Sequence, residues 1–198
     1  QRQMCIRDRL DTLINLLNLL SSRFEWHHVL DILERESVYP CFDLEADSLN
    51  YIRRWVADTY IRWGRDAEHR AQLQLPALEQ NTWHAGLAQM MWGYVKQGTG
   101  IEIEGSAAQA LGGLDAFVRE VLFDYAERCA KPLTVQAWSK LLLNLIDKTL
   151  QDNTYNQLTP LREIVQKLAE MPTDASYPLS VIVRWLDLTA GEHKTSQG

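Results

Sequence analysis

The 198-residue sequence is poor in the features that mark several classes of protein. It has three cysteines, Cys5, Cys41 and Cys129, and no C-x-x-C pair. That argues against a disulfide framework and a zinc knuckle, and fits a reducing, cytoplasmic setting. No run of about 18 uncharged apolar residues occurs, so no bilayer-spanning helix and no membrane partner is expected. The longest candidate, residues 10–20, is interrupted by Asp11, Asn15 and Asn18. Basic residues are outnumbered, with 20 Lys+Arg against 26 Asp+Glu and a net charge of −6. This argues against a free-standing protein held to nucleic acid by bulk charge, but leaves room for local contact inside a larger assembly. The first residues show no secretory pattern. There is no G-x-x-x-x-G-K-S/T phosphate loop and no H-E-x-x-H helix, so no nucleotide, cofactor or metal site is expected within this stretch.

What is present is a globular mixture, 46% hydrophobic and 23% charged. Apolar residues recur at helical spacing almost throughout. Leu10, Leu13, Ile14, Leu17 and Leu20 define a first helix, and Val29, Leu30 and Leu33 a second within 25–35. Leu49, Ile52, Val56 and Tyr60 define a third over 45–60. Asp66 can cap a short helix to 73, and Thr82 one over 83–95. A long helix is expected over 106–130, with a stripe from Ala107 to Tyr125. Others follow over 134–150, from Thr159-Pro160, and from Pro178. The reading is mainly α: an irregular array of about eight helices around one core. No period of 20–50 residues supports a solenoid. Residues 97–105, with three glycines, read as a connector, and Ile101 to Ile103 is too short to argue a strand.

Few residues offer chemistry. His27 and His28 are adjacent and are expected to point to different sides of a helix. His27 and Asp31 share a face at i, i+4, a spacing usable by a metal or an acid–base pair, although a capping or surface role is favoured. Glu102 and Glu104 sit in the connector without a neighbour to shift their pKa, and read as solvated. No catalytic residue is assigned. Ten of the eleven basic residues before position 100 are arginine. Arg53, Arg54, Arg62, Arg65 and Arg70 lie in one short span and form the candidate DNA-backbone contact, since guanidinium forks suit phosphate. The bland alternative is a solvated face with intramolecular ion pairs. Trp63, Trp83 and Trp92 are candidates for base stacking, with core packing favoured for Trp83 and Trp92.

One stretch carries a recognisable pattern. It reads Ile61-Arg62-Trp63-Gly64, Asp66, Leu75-Pro76, Gln80-Asn81-Thr82-Trp83, Gly86-Leu87 and Gly93-Tyr94. This resembles the RecC family, the gamma subunit of bacterial exodeoxyribonuclease V. The flanks are similar too, at Phe42-Asp43-Leu44, Arg53-Arg54-Trp55-Val56, Pro132-Leu133-Thr134 with Trp138, and Pro178-Leu179-Ser180. His84-Ala85 and Met91-Trp92 depart from the family's usual Arg-Phe and Leu-Leu-type pairs.

The resemblance implies an internal piece of a longer chain, a helical insertion in a superfamily 1 helicase-like region that has lost its ATPase residues. It implies the beta and alpha subunits of exodeoxyribonuclease V as partners, with ATP and Mg used by them. It also implies a complex that unwinds and degrades double-stranded DNA ends in recombinational repair. The family's strand-splitting and Chi-reading residues lie in other parts of its chain, so no site residue carries over. The rival reading is a stand-alone helical adaptor for protein partners. Residues 1–9, QRQMCIRDR, resemble translated sequencing adapter and are expected to be a non-native leader, with 10–198 the helical segment.

Overall fold

The computed structural model describes residues 2–97, 105–152, 156 and 158–195. It is mainly helical. Ten α-helical segments occur among the described residues: α1 (Arg2–Leu20), α2 (Trp26–Leu33), α3 (Ser48–Asp58), α4 (Ala67–Gln72), α5 (Trp83–Gln97), α6 (Gly105–Asp115), α7 (Asp124–Cys129), α8 (Val135–Thr149), α9 (Leu158–Ala169) and α10 (Leu179–Thr195). A 3-10 turn spans Tyr39–Phe42. Two two-residue strands, β1 (Leu133–Thr134) and β2 (Ser176–Tyr177), pair antiparallel. No described helix is long and apolar enough to cross a membrane.

The chain divides into two compact units. One comprises residues 1–21 and 124–198, the other residues 22–123. In the first, α1 buries Leu13, Leu16 and Leu17 completely, while Asp11, Asn15 and Asn18 line its wet face. The polar residues that interrupt the apolar run thus mark the helix's solvent side. Thr134 caps α8 by accepting the Ala137 N–H at 3.3 Å. Helices α8 and α9 pack through Leu142, Leu145, Leu161 and Val165, and the buried Ser139 hydroxyl donates to the Val165 carbonyl at 3.0 Å. Each such leucine removed from water contributes roughly 1.5–3 kcal/mol. The Trp138 indole, fully buried, donates to the Tyr177 carbonyl at 2.7 Å and so ties α8 to β2. The strands escape a pattern search because two residues show no alternation.

The second unit contains α2–α6 and the helical run that leaves α6. Its core includes Val29, Leu33, Ile52, Val56, Ile61, Trp83, Leu87, Leu114 and Phe117. The expected helix over 106–130 is continuous, but Ala116–Phe123 is wound as a π-helix. The spacing explains it. Positions 114, 118 and 122, and 117, 121 and 125, are all buried and four apart. In an α-helix each step of four drifts by roughly 40°, and a wider turn draws the drifting stripe back onto the core. Gly113 admits the crossing segment: a Cβ there would lie 2.5 Å from the Phe42 carbonyl oxygen and 2.6 Å from Leu44 Cδ2.

Two inward assignments change. Tyr60 is 63% exposed, because α3 ends at Asp58 and Tyr60 takes a left-handed φ of 55°. Trp92 is 66% exposed. It lies nine residues past Trp83, half a turn out of phase with the face that buries Trp83, Leu87 and Met90. Most of the 97–105 connector, with Ile101, Glu102, Ile103 and Glu104, lies outside the described residues.

Candidate nucleic-acid interface

The five candidate arginines fall in and around residues 59–84, a segment organised more by side chains than by regular structure. Its backbone is laid down by isolated bonds. The Arg62 N–H donates to the Asn81 carbonyl at 2.9 Å, Gly64 N–H to Arg23 at 2.7 Å, Trp83 N–H to Gly64 at 3.0 Å and His84 N–H to Arg65 at 2.9 Å. Gly64 holds φ +88°, a conformation that side chains rarely adopt, and the Arg70 side chain crosses 3.1 Å from where a Cβ would sit.

Arg70 is the hub of the segment. It is 6% exposed. Its Nη1 donates to the carbonyls of Leu78 and Gln80 at 2.7 and 2.8 Å, and Nη2 donates to the Trp63 carbonyl at 2.9 Å. The guanidinium carbon lies 4.3 Å from the Trp63 ring centroid. Burial pulls its pKa down, with Glu79 partly offsetting the pull. Arg70 is therefore a clamp on its own loop, with its donors turned inward, and it presents no fork to a phosphate.

The other four arginines differ from one another. Arg53 forms a two-point pair with Glu34, at 2.6 Å on both oxygens, and this hydrogen bonding and charge raise its pKa. Arg65 is largely covered and donates to Asp66 at 2.8 Å. Arg54 is 81% exposed, with only a loose i, i+4 contact of 3.6 Å to Asp58. Arg62 is exposed, with its backbone pinned between Trp26 and Asn81. The span thus separates into a buried clamp, two arginines already held by acids, and two that face solvent.

Three residues outside the candidate set organise the same segment. Asp66 caps α4 by accepting the His69 N–H at 2.8 Å. His69 Nδ1 accepts the Arg65 N–H at 3.2 Å, and its ring lies 5.4 Å from that of Phe24. Desolvation is the first cause of its lowered pKa, followed by Arg65. Glu79 accepts the Ala67 N–H at 2.7 Å with one oxygen and meets His84 Nδ1 at 2.6 Å with the other. The Asp66 cap was legible as an Asp before a helical run; Glu79 had no signal, because its partner lies 12 residues away. Asp66, Glu68, Glu79 and His84 line an open cleft of about 480 Å³. Its acidic wall disfavours phosphate there.

The tryptophans also separate. Trp83 is core, Trp63 is half-buried beneath Arg70 with Arg23 at 5.9 Å, and Trp92 stands in solvent. The two histidines do not diverge. His27 Nε2 and His28 Nδ1 approach the same Glu25 oxygen at 3.5 and 3.6 Å, with ring centroids 4.1 Å apart. Both occupy the first turn of α2, where no preceding turn separates them and the extended Glu25 reaches across.

Residues 7–194 match the sequence model described as the RecBCD enzyme subunit RecC fourth domain. The chain is similar to the RecBCD enzyme subunit RecC of Escherichia coli (strain K12), with 40% identity over 88 residues, 44% of this chain and 8% of that protein. It is similar to the subunit of the same name from Buchnera aphidicola subsp. Acyrthosiphon pisum, with 27% identity over 161 residues, 77% of this chain and 15% of that protein. For Haemophilus influenzae the figures are 25% over 168 residues, 79% and 14%. The matched stretch is thus a small fraction of the relatives' length.

Proposed function

The chain belongs to the RecC family, and from that premise we propose that it is a non-catalytic scaffold and DNA-handling segment of an exodeoxyribonuclease V gamma subunit. The observation that carries the subunit reading is the match to the fourth domain over 7–194. In this reading residues 10–198 are the helical part of a helicase-like region. The beta and alpha subunits are its partners in the cytoplasm and supply ATP- and Mg-dependent work on double-stranded DNA ends. The segment's own task is mechanical. The Arg70 clamp holds the 59–84 backbone in one shape, and Arg54 and Arg62, left facing solvent, touch the phosphate backbone as DNA passes.

The mechanism follows from this division of labour. A phosphate contact needs a guanidinium in solvent and a backbone that does not yield. Arg62 has that backbone: its N–H and C=O are both bonded, to Asn81 and from Trp26. Arg54 projects from α3, whose buried face at Leu49, Ile52 and Val56 fixes the helix. No base is read by such contacts, so the contribution is affinity and register, independent of sequence.

The test uses the assembled complex. Arg54→Glu with Arg62→Glu lowers the slope of log affinity for duplex ends against log salt by roughly 0.9 for each phosphate that is no longer neutralised. An unchanged slope overturns the DNA contact. Failure of the full-length chain to co-purify with its helicase-nuclease partner overturns the subunit reading.

A further inference from the structure

We propose that Glu25, His27 and His28 form a binding site for a divalent transition-metal ion of the imidazole-preferring class, represented by Zn²⁺, with a fourth position left open. The donor set is the first argument. Two imidazoles and a carboxylate are a recurrent three-ligand set for zinc, and imidazole equally suits Ni²⁺ and Cu²⁺. Here one ligand atom from each residue lies within 4.8 Å of the other two.

Geometry is the second argument. Two donors each about 2.0–2.1 Å from a tetrahedral ion are themselves roughly 3.3–3.4 Å apart. Glu25 Oε2 lies 3.5 Å from His27 Nε2 and 3.6 Å from His28 Nδ1. Two of the three edges of the ligand triangle are therefore close to their metal-bound length, and small rotations of exposed side chains close the set. The three side chains are 43–56% exposed, so water or a partner's donor can take the fourth position.

Pre-organisation is the third argument. The backbone that carries the donors is fixed on both sides. The Phe24 carbonyl accepts the Trp83 indole N–H at 2.8 Å, and the Trp26 N–H donates to the Arg62 carbonyl at 3.0 Å. The Val29 N–H donates to the Glu25 carbonyl at 3.1 Å. A cation at a helix N-terminus is opposed by the helix dipole. The Glu25 carboxylate must offset that opposition, so the charge of Glu25 matters as much as its oxygen.

The experiment uses the tag-free chain near neutral pH, because metal binding displaces protons from its ligands and weakens in acid. Zn²⁺ binding is measured by calorimetry, and Cu²⁺ binding by quenching of Trp26, whose ring lies 5.8 Å from that of His27. One equivalent is expected to bind. Loss of an outer-shell partner already costs about 10–100-fold in metal affinity, so Glu25→Gln, His27→Ala and His28→Ala are each expected to lose at least about tenfold. Asp31→Asn is expected to bind as the parent does, and Trp26→Phe to keep Zn²⁺ binding while losing the quench. All three donors are exposed, so circular dichroism should show each variant folded. Parent-like binding by the double His27→Ala, His28→Ala variant, or no Zn²⁺ binding by the parent at micromolar concentration, overturns the proposal. Loss in Asp31→Asn with retention in Glu25→Gln overturns the assigned donor set.

Discussion

The indole of Trp83, at the first turn of α5, donates its Nε1 proton to the main-chain carbonyl of Phe24 across 59 positions of sequence, at 2.8 Å. Phe24 is itself buried and holds a left-handed φ of 54°. The bond therefore fixes a residue whose conformation is unfavourable without support. Trp83→Phe keeps an aromatic ring, though a smaller one, and leaves the Phe24 carbonyl without its partner; it is expected to cost about 1–3 kcal/mol in urea unfolding. Trp83→Ala adds a cavity and is expected to cost about 3–5 kcal/mol. A neutral Trp83→Phe would show that the bond carries no stability.

Two adjacent glycines of α6 are expected to respond with opposite sign. Gly112 has nothing within 4 Å of a built Cβ, so Gly112→Ala gains helix propensity and stabilises by roughly 0.5–1 kcal/mol. Gly113 faces the Phe42 backbone oxygen at 2.5 Å, so Gly113→Ala must displace main chain and costs about 1–3 kcal/mol. Thermal midpoints of the two variants measured side by side settle the order.

His69 makes stability fall on the acid side. Its pKa is lowered in the folded chain by burial first and then by Arg65. As pH falls below about 6.5, the unfolded imidazole takes up a proton that the folded one refuses. Stability is full above that pH and declines below it until the folded group also titrates. Protonation further turns the Nδ1 acceptor into a donor against the Arg65 N–H. In His69→Asn, which keeps an acceptor without a titration, the urea midpoint is expected to lose this part of its acid slope. An identical slope in both proteins would assign it to other groups.

Arg70→Lys tests the clamp. Lysine keeps the charge but cannot span the carbonyls of Trp63, Leu78 and Gln80 with one planar head, and it forfeits the stacking on Trp63. The expected cost is about 1.5–3 kcal/mol, the scale of losing a hydrogen bond to a charged group, read as a lower denaturation midpoint. An unchanged midpoint would mean that the segment holds itself without Arg70.

Cys129 and Cys41 are expected to differ in reactivity. Burial pushes the Cys129 thiol up to about 12, whereas Cys41 is half-buried. At mildly alkaline pH, alkylation followed by peptide mapping should show Cys41 modified well before Cys129. Equal rates would mean that Cys129 is exposed by local opening.

Much of the architecture could be read from spacing alone. Leu13 and Leu17 of α1, Leu142 and Leu145 of α8, and Leu161 and Val165 of α9 sit inside as their periodicity demands. Spacing failed where a helix stopped or phase was misjudged. Tyr60 continues the α3 stripe on paper, yet the helix ends two residues earlier. Trp92 is apolar enough for a core, yet its phase on α5 puts it outside. The four-residue spacing that favours the π-wound segment is hard to separate from an ordinary helical stripe over so short a run.

The arginine cluster shows a different limit. Proximity in sequence grouped five like residues, but their fates depend on partners at Glu34, Asp66 and the carbonyls of Trp63, Leu78 and Gln80. No local pattern encodes such partners. His27 and His28 were separated by an angle that holds inside a helix and fails in its first turn, where Glu25 lies outside the spiral.

The reach of the Arg70 side chain has one more consequence. It binds a carbonyl seven residues before it and another ten residues after it, so a single head group closes two loops at once. A cross-link restricts the unfolded chain, whereas this clasp leaves that ensemble untouched and acts only once the loop has formed. It needs no oxidant to close and no reductant can open it. A segment built this way keeps its shape across any thiol poise, and it is given up only when water reaches the guanidinium.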